Sequence, residues 1–237
     1  MDVVYSCRPG SNEELRYSLR SLVNVPHGRV WIVGGWPAWV RDVGTIPTRV
    51  LGNKYRTVTA NMIAACSEPE ISDPFLFFND DMYAVEPIRW FGHHHRNTMR
   101  EHITEYEQGG WRNSLYVQGL RDTLALLQYL GFEDPLCYEL HVPIVVWKAP
   151  MLEACALEGS IQAYQRRSVY GALIELPSTP LADPKVYAKG IEAGRPAPTG
   201  PWLSTGDSSF PAVRPRLAVL FPEPGPHEQP ARRARAA

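Results

Sequence analysis

The stretch Pro74-Phe75-Leu76-Phe77-Phe78-Asn79-Asp80-Asp81-Met82 decides the fold of this chain and points to its chemistry. Four consecutive apolar residues after a proline predict a buried central strand. Asp80 and Asp81 follow at its carboxyl end and cannot stay buried and unpaired, because an ionised carboxylate is costly in an apolar interior. The carboxyl edge of an open α/β sheet is a usual place for a ligand. Two interpretations are open: a site for a divalent metal that prefers oxygen ligands, or an acidic turn after a core strand.

Upstream of this stretch the chain predicts a β-α-β unit. Residues 3–7 and 30–33 are short apolar strands, and the segment between them carries a helical repeat of leucines. Ser11 and Glu14 have the spacing of a capping box, which predicts that the helix starts there. A right-handed crossover makes the two strands parallel.

The same order of elements then repeats. Residues 48–51 predict a third strand, residues 52–56 a polar loop that includes Lys54, and residues 57–66 a helix with Asn61 near its first turns. Two successive β-α-β patterns predict an α/β fold with a mostly parallel central sheet flanked by helices.

The first turn, Arg8-Pro9-Gly10, precedes a helix whose amides favour an anion such as phosphate. It lacks the Gly-x-Gly-x-x-Gly fingerprint, which argues against a Rossmann dinucleotide site. Arg8 is either a nucleotide contact or a solvated turn arginine.

Beyond Asp81 the pattern is weaker. Residues 88–91 predict an edge strand or a short helix, and His93-His94-His95 an exposed polar loop rather than a metal site, because adjacent side chains diverge. Residues 101–108 are polar and predict a mobile loop over the site. Residues 114–130 predict the longest helix, which ends at Gly131.

Three further segments hold candidate functional residues. Glu139 and His141 alternate with apolar residues, so an extended chain would place both on one face. They are an acid/base or ligand pair, or His141 is simply a core histidine. Arg166 and Arg167 form a small basic cluster that contacts phosphate or ends a solvated helix. Asp207 lies in a loop of small hydroxyl residues as a functional carboxylate or as part of a capped turn.

Composition narrows the class of protein. The chain has 237 residues and a net charge of −1, so any basic surface that binds nucleic acid must be local. Its four cysteines form no Cys-x-x-Cys pair, which argues against a zinc site and fits a reducing cytosol. No apolar run reaches the ~20 residues of a membrane span, and the first residues do not have the pattern of a signal peptide. We expect one domain over residues 1–222 and a disordered Pro/Arg-rich tail over residues 223–237.

Several motifs together carry a resemblance to a known family. The helix Glu14-Leu15-Arg16-Tyr17-Ser18-Leu19-Arg20-Ser21-Leu22, the Phe78-Asn79-Asp80-Asp81 turn and the Glu139-Leu140-His141-Val142-Pro143 segment look like those of GT-A nucleotide-sugar transferases. They are similar in part to Stealth-type sugar-phosphate transferases. The chain resembles more closely the phage TET-associated glycosyltransferases, over about residues 2–222. The motifs that add to this closer likeness are Arg8-Pro9-Gly10, Gly34-Gly35, Arg167-Ser168-Val169-Tyr170-Gly171 and Ser204-Thr205-Gly206-Asp207-Ser208-Ser209-Phe210.

The resemblance implies a GT-A-like fold and transfer of a sugar from a UDP-sugar, with Mn²⁺ or Mg²⁺ as cofactor. For the phage family the implied acceptor is a 5-hydroxymethylpyrimidine in DNA, and for this chain we expect 5-hydroxymethylcytosine. The implied place of action is the cytoplasm of the infected host cell. Asn79-Asp80-Asp81 would replace the family's Asp-x-Asp motif, with Asn79 as a departure from it. The residues that would carry each role are Asp81, Asp80 and His141 for the metal; Arg8, Gly10, Gly34, Lys54, Asn61, Asn79 and Asp80 for the donor; Asp207, Glu139 and His141 for catalysis; and Arg166, Arg167 and Lys148 for DNA.

Two other functions compete with this interpretation. The first is a glycosyl- or sugar-phosphate transferase that acts on a polysaccharide or surface glycan, with the same fold and metal. The second is a non-catalytic protein that binds a nucleotide-sugar or nucleic acid. The adjacent carboxylates of Asp80 and Asp81 and the lack of a dominant basic face argue against the second.

Overall fold

The protein is described by a computed structural model that covers residues 1–192, 194 and 198–229. The strands are β1 (Asp2–Cys7), β2 (Val30–Gly34), β3 (Gly44–Pro47), β4 (Phe75–Asn79), β5 (Met82–Ala84), β6 (His94–His95), β7 (Ile144–Val146), β8 (Thr179–Pro180) and β9 (Trp202–Ser204). The α-helices are α1 (Glu13–Ser21), α2 (Lys54–Ser67), α3 (Met99–Gln108), α4 (Leu115–Tyr129), α5 (Lys148–Ala156), α6 (Arg166–Leu173), α7 (Ala188–Glu192) and α8 (Phe210–Leu220).

The central sheet has the strand order β3-β2-β1-β4-β7. Strands β1 to β4 are mutually parallel, and β7 runs antiparallel to β4 at one edge, with Ile144 opposite Phe77. Two small sheets, β5 with β9 and β6 with β8, extend this frame. The predicted α/β fold with a mostly parallel sheet is confirmed, as is the buried central strand, since Phe75 to Phe78 are at most 2% exposed.

Helices cover both faces of the sheet because the strand residues alternate in direction. Val4 of β1 belongs to a core that includes Met62 of α2, whereas Tyr5 belongs to a second core with Leu15 of α1. A strand that is covered on both faces has a continuous apolar sequence, which explains why the apolar residues of β1 and β4 do not alternate with polar ones. None of the helices in the described residues is both long and apolar enough to cross a membrane.

The third strand differs from the prediction. It occupies Gly44–Pro47 rather than residues 48–51. A Cβ on Gly44 would come within 2.2 Å of the Trp31 ring, so a glycine at this position allows the strand to lie close to β2. Pro47 is tolerated because β3 is an edge strand.

The start of the first helix also differs. The cap of α1 is Asn12, whose side-chain oxygen accepts a hydrogen bond from the Leu15 amide at 3.0 Å, and the backbone of Asn12 is left-handed with φ of 42°. The predicted capping box of Ser11 and Glu14 is therefore wrong, because the Glu14 carboxylate turns away to accept a hydrogen bond from Thr205.

Three regions predicted as irregular or extended also came out differently. Residues 101–108 lie in α3, which begins with a Thr98–Glu101 capping box and packs Ile103 inward. Residues 88–91 form neither a strand nor a helix, and His94–His95 pair with β8.

The long helix is confirmed as α4, capped by Ser114 and followed by Gly131 with φ of 98°.

The first part of the predicted tail is packed against the domain. Glu228 is 2% exposed and accepts hydrogen bonds from Arg16 and Arg20 of α1. The expectation of disorder is thus wrong for the segment around Glu228, because a buried carboxylate with two arginine partners fixes it. Residues 230–237 lie outside the described residues.

Candidate active site

The acidic corner of the protein lies where β4 ends. Asn79 is the last residue of β4 and pairs with Ser6 of β1, and Asp80 and Asp81 form the turn into β5. The parallel strands β1, β2 and β4 all end at this edge, so the loops that follow them converge here. This is the ligand-binding edge expected of an open α/β sheet.

Asp80 is held by the cap residue of α1. One of its oxygens accepts a hydrogen bond from the Asn12 side-chain amide at 2.5 Å, and the same amide lies 3.2 Å from the Cys7 sulfur. Burial, followed by the neighbouring Asp81, raises the pKa of Asp80 from 3.8 to about 7. The negative charge of such a carboxyl is energetically costly, and a cation that binds beside it would stabilise the ionised form.

Asp81 has one satisfied and one unsatisfied oxygen. Its Oδ2 lies 3.3 Å from the Lys185 ammonium, whereas its Oδ1 is buried and finds no hydrogen-bond partner in the part of the chain that the structure describes. An orphaned buried carboxylate oxygen requires an explanation, and an ion that binds there is one. The residues present at this corner therefore fit a divalent metal at Asp81.

Two more carboxylates complete the corner. Glu14 is 7% exposed, accepts from the Thr205 hydroxyl at 2.9 Å, and has its pKa raised mainly by burial and further by Asp81. Asp207 is exposed and forms a two-pronged ion pair with Arg8, at 2.6 and 3.1 Å. Carboxylates thus outnumber the cations Arg8 and Lys185, which favours a bound cation.

The Arg8–Asp207 pair bridges two loops across the corner. The guanidinium of Arg8 also lies 3.9 Å from Glu14. The hydrogen bond from Arg8 lowers the pKa of Asp207, and the charges of Arg8, Lys185 and Lys54 lower it further. Both side chains of the pair are well exposed, so it is a weak contact. A diphosphate could therefore replace Asp207 as the partner of Arg8 at little cost.

His141 belongs to a neighbouring cluster. Its Nδ1 lies 2.9 Å from Asp183, which also accepts from Arg96 at 2.8 Å. Within residues 1–192, 194 and 198–229, no three His, Cys, Asp or Glu side chains are arranged to hold a metal ion. The prediction that Asp80, Asp81 and His141 form one ligand set is therefore not met by this arrangement.

The prediction that Arg166 and Arg167 contact DNA is wrong, because both residues are buried. Arg166 and Arg167 are only 8% and 7% exposed, and Arg167 donates to the carbonyls of Leu140 and Val142. The ammonium of Lys148 donates to the carbonyls of Glu68 and Ile71. Arg167 and Lys148 thus bond backbone carbonyls inside the fold. Lys148 is half-buried, so its contact with DNA stays a prediction.

Three other predicted site residues, Asn61, Gly34 and Glu139, have structural roles in the fold. Asn61 is 1% exposed, and its amide bonds Ser6 and the carbonyl of Val33, so it is not free to contact a donor. A Cβ on Gly34 would lie 2.2 Å from the Cys7 carbonyl, which makes this glycine a packing requirement between β1 and β2. Glu139 accepts from the backbone amide and the hydroxyl of Ser168 in the first turn of α6.

The remaining donor candidates lie at the mouth of the corner. Gly10 has φ of 135° and open space around it, and Lys54 is exposed at the start of α2. Lys54 is near enough to Asp207 to lower the pKa of that carboxyl. With Arg8 they border the rim that a diphosphate would reach.

Sequence reasoning missed four residues of the site, and for different reasons. The sequence predicts a capping box for Glu14. The adjacent Glu13 is a signal that only one of the two glutamates is needed at the start of the helix, which leaves the other for the site. Asn12 was overlooked as a cap. Lys185 and Asp183 lie in a proline-rich stretch whose pattern predicts no regular structure, so no local signal marked them.

Comparison with known proteins supports the fold. No protein-family model matches the chain, and no curated protein sequence matches it. Among solved structures, the galactosyltransferase LgtC in complex with donor and acceptor sugar analogs matches with a TM-score of 0.52 and 10% identity, over 94% of this chain and 95% of the other. An active-site mutant of LgtC matches with a TM-score of 0.50 and 10% identity, over 93% and 95%. The GT-A-like fold predicted from the sequence is confirmed by this likeness.

Proposed function

We propose that this protein is a nucleotide-sugar-dependent glycosyltransferase that moves a sugar from a UDP-sugar to an acceptor hydroxyl. The main observation behind this proposal is the corner at the end of β4. There Asp81, beside Asp80, has a buried oxygen to which none of the described residues donates a hydrogen bond. The fold is shared with a galactosyltransferase whose structure was solved in complex with donor and acceptor sugar analogs, which supports the same class of reaction.

The donor diphosphate binds at this corner in the proposal. Mg²⁺ and Mn²⁺ sites commonly use one or two carboxylates and take their other ligands from substrate phosphates and water. Asp81, with Asp80 second, would hold such an ion, which when bound would neutralise charge on the leaving diphosphate. Arg8 and Lys185 supply fixed positive charge on either side and favour the same build-up of negative charge.

Among the three predicted bases, His141 fits the role best. Glu139 is engaged by the first turn of α6, and the bond from Arg8 lowers the pKa of Asp207, which makes Asp207 a weaker base. His141 is partly exposed and has a ring nitrogen, Nε2, that makes no hydrogen bond to any described residue. It is therefore available to accept the proton of an acceptor hydroxyl.

The proposed acceptor is a 5-hydroxymethylpyrimidine in DNA, and we expect it to be 5-hydroxymethylcytosine. The order and spacing of motifs shared with the phage TET-associated glycosyltransferases support it. Arg166 and Arg167 are buried, so phosphate contacts would have to come from other cations, such as the exposed Arg100 of α3. The alternative is a polysaccharide or surface-glycan acceptor, which the acidic corner serves equally well.

The test is a transfer assay. The protein is incubated with Mn²⁺ and a panel of UDP-sugars on hydroxymethylated DNA, on unmodified DNA and on glycan acceptors, and the products are read by mass spectrometry. We expect a sugar-sized mass gain on the hydroxymethylated base alone. Gain on a glycan only would select the alternative acceptor, and neither transfer nor donor hydrolysis with any sugar would favour a non-catalytic binding protein.

One pair of variants makes the assay specific to the site. Asp81→Asn should lower transfer roughly 100-fold or more, the order lost when one group that stabilises transition-state charge is removed. Asp134→Asn makes the same chemical change at an exposed position away from the corner and should leave transfer unchanged. Full activity of Asp81→Asn would overturn the assignment of this corner as the donor site.

A further inference from the structure

Asp183 is a buried carboxylate to which sequence reasoning gave no role. Its side chain is 5% exposed and accepts hydrogen bonds from three donors: the His141 ring, the His141 backbone amide and the Arg96 guanidinium. Burial alone would raise the pKa of Asp183, but the hydrogen bonds from His141 and the charge of Arg96 outweigh it and lower the pKa to about 2. Asp183 is therefore a carboxylate near neutral pH, and it can only accept.

This arrangement fixes the state of the histidine. Because Asp183 is an acceptor, the proton of a neutral His141 ring must sit on Nδ1, which lies 2.9 Å from Oδ2. The lone pair is then on Nε2, which is unbonded within the described part of the chain. A hydrogen bond at one ring nitrogen decides what the other can do.

Two observations place His141 beside the donor corner. Strand β7 begins at Ile144 opposite Phe77 of β4, so the residues that precede Ile144 run past the carboxyl end of β4, where Asp80 and Asp81 lie. In addition, Asp183 contacts His141 while Lys185 contacts Asp81. The segment between them is extended, because Ser204 pairs with it on both sides of Lys185.

Alternate residues of an extended chain point the same way and lie roughly 6.6 Å apart, given a rise of about 3.3 Å per residue. Asp183 and Lys185 are two such residues. His141 and Asp81 are therefore contacted from one face of the same short segment, and the ring is within reach of a sugar acceptor that approaches the donor.

We infer that Asp183, supported by Arg96, is a positioning residue that holds His141 with Nδ1–H inward and Nε2 free to deprotonate the acceptor. This rests on the proposed glycosyl transfer. In the step, the acceptor O–H proton passes to Nε2 as the acceptor oxygen bonds to the anomeric carbon. The bond between that carbon and the phosphate oxygen breaks, and its electron pair leaves with the diphosphate. Asp183 stabilises the imidazolium that forms, which then releases its proton to water.

Asparagine at position 183 is the sharpest test of this role. It keeps the shape of the side chain but has one acceptor oxygen, so it cannot satisfy all three donors. We expect Asp183→Asn to lower kcat for transfer by about 10- to 100-fold, within the range that general-base catalysis contributes, with the donor KM changed by about twofold or less. Asp183→Glu keeps the charge and should recover part of the loss, whereas Asp134→Asn should behave as the unaltered protein.

A second measurement does not depend on activity. Nitrogen-15 NMR of the full chain shows which ring nitrogen of His141 carries the proton when the ring is neutral. The signal is assigned by its absence in His141→Gln. We expect Nδ1–H in the unaltered protein and loss of that fixed state in Asp183→Asn. A proton on Nε2 in the unaltered protein would overturn the inference even if no donor sugar is ever found, and so would an unchanged kcat in a folded Asp183→Asn variant. Failure of every transfer assay with Nδ1–H intact would count against the proposed function and leave the positioning of His141 supported.

Discussion

Glu228 offers the clearest quantitative prediction, because the sequence and the structure assign it opposite roles. As part of a disordered tail it would contribute nothing to stability. In the structure it closes over α1 and accepts from Arg16 at 2.5 Å, from Arg20 at 2.6 and 2.9 Å, and from the Gly225 amide at 2.9 Å.

The size of the effect follows from these contacts. A hydrogen bond to a charged group contributes about 1.5–3 kcal/mol, and removing one partner of a buried ion pair costs about 3–5 kcal/mol. The side chain of Glu228 is 1% exposed, but Arg16 and Arg20 are 22% and 12% exposed, so water can take over some of their donors. We therefore expect Glu228→Ala to lower the free energy of unfolding by about 2–4 kcal/mol, below the full cost of a buried pair.

The assay is urea denaturation followed by circular dichroism. Glu223→Ala is the matched control, because Glu223 lies in the same segment, is exposed and carries the same charge. It should change the free energy of unfolding by about 0.5 kcal/mol or less. Equal midpoints for the Glu228→Ala and Glu223→Ala variants would refute the packed tail.

The contribution of Glu228 to stability should depend on pH. Burial alone would raise the pKa of Glu228, but the bonds from Arg20, Gly225 and Arg16 lower it below its ordinary value of 4.5. A carboxyl with a lowered folded pKa stabilises the fold above its unfolded pKa and loses that contribution as the pH falls through the folded pKa. The difference between the unaltered protein and Glu228→Ala should therefore narrow in acid.

Two further predictions concern the core. Burial, followed by the charge of Arg96, lowers the pKa of His102 from 6.5 to about 4. The unfolded chain therefore takes up this proton at a higher pH than the folded protein, and stability should fall as the pH drops from 6.5 to about 4. His102→Gln should flatten that part of the curve of urea midpoint against pH, whereas His27→Gln, at an exposed position, should not. Gly119→Ala should destabilise by about 1–3 kcal/mol, because its Cβ would lie 2.0 Å from the Ala163 carbonyl, and Gly52→Ala, where the space is open, should be near neutral in the same melts. A flat result for Gly119→Ala would mean that α4 does not pack as closely on the segment before α6.

The parts of the site that could be predicted from sequence are those set by local rules. The run from Phe75 to Phe78 is buried because an apolar strand covered on both faces needs no alternation. Asp80 and Asp81 lie at its carboxyl end because ionised carboxylates cannot follow it into the core. The parallel arrangement of β1, β2 and β4 follows from helical crossovers between successive strands.

Burial of the basic residues was not predictable in this way. Arg166, Arg167 and Lys148 look like surface cations in the sequence, and their charge suggested phosphate contacts. Arg167 and Lys148 bond backbone carbonyls that other segments leave unpaired, such as those of Leu140 and Glu68. The local sequence does not show where such carbonyls lie, so the basic residues alone predicted a DNA-binding patch.

What the sequence alone determined is therefore the α/β frame and the presence of carboxylates at its ligand-binding edge, because hydrophobic periodicity and the cost of buried charge act over a few neighbouring residues. Only the tertiary structure decided which charges meet. Lys185 reaches Asp81 across 104 positions, Arg8 reaches Asp207 across 199, and Asp183 reaches His141 across 42. These contacts form only after folding has closed long loops, and the energy that closes them comes from packing of the whole core rather than from the charged residues themselves.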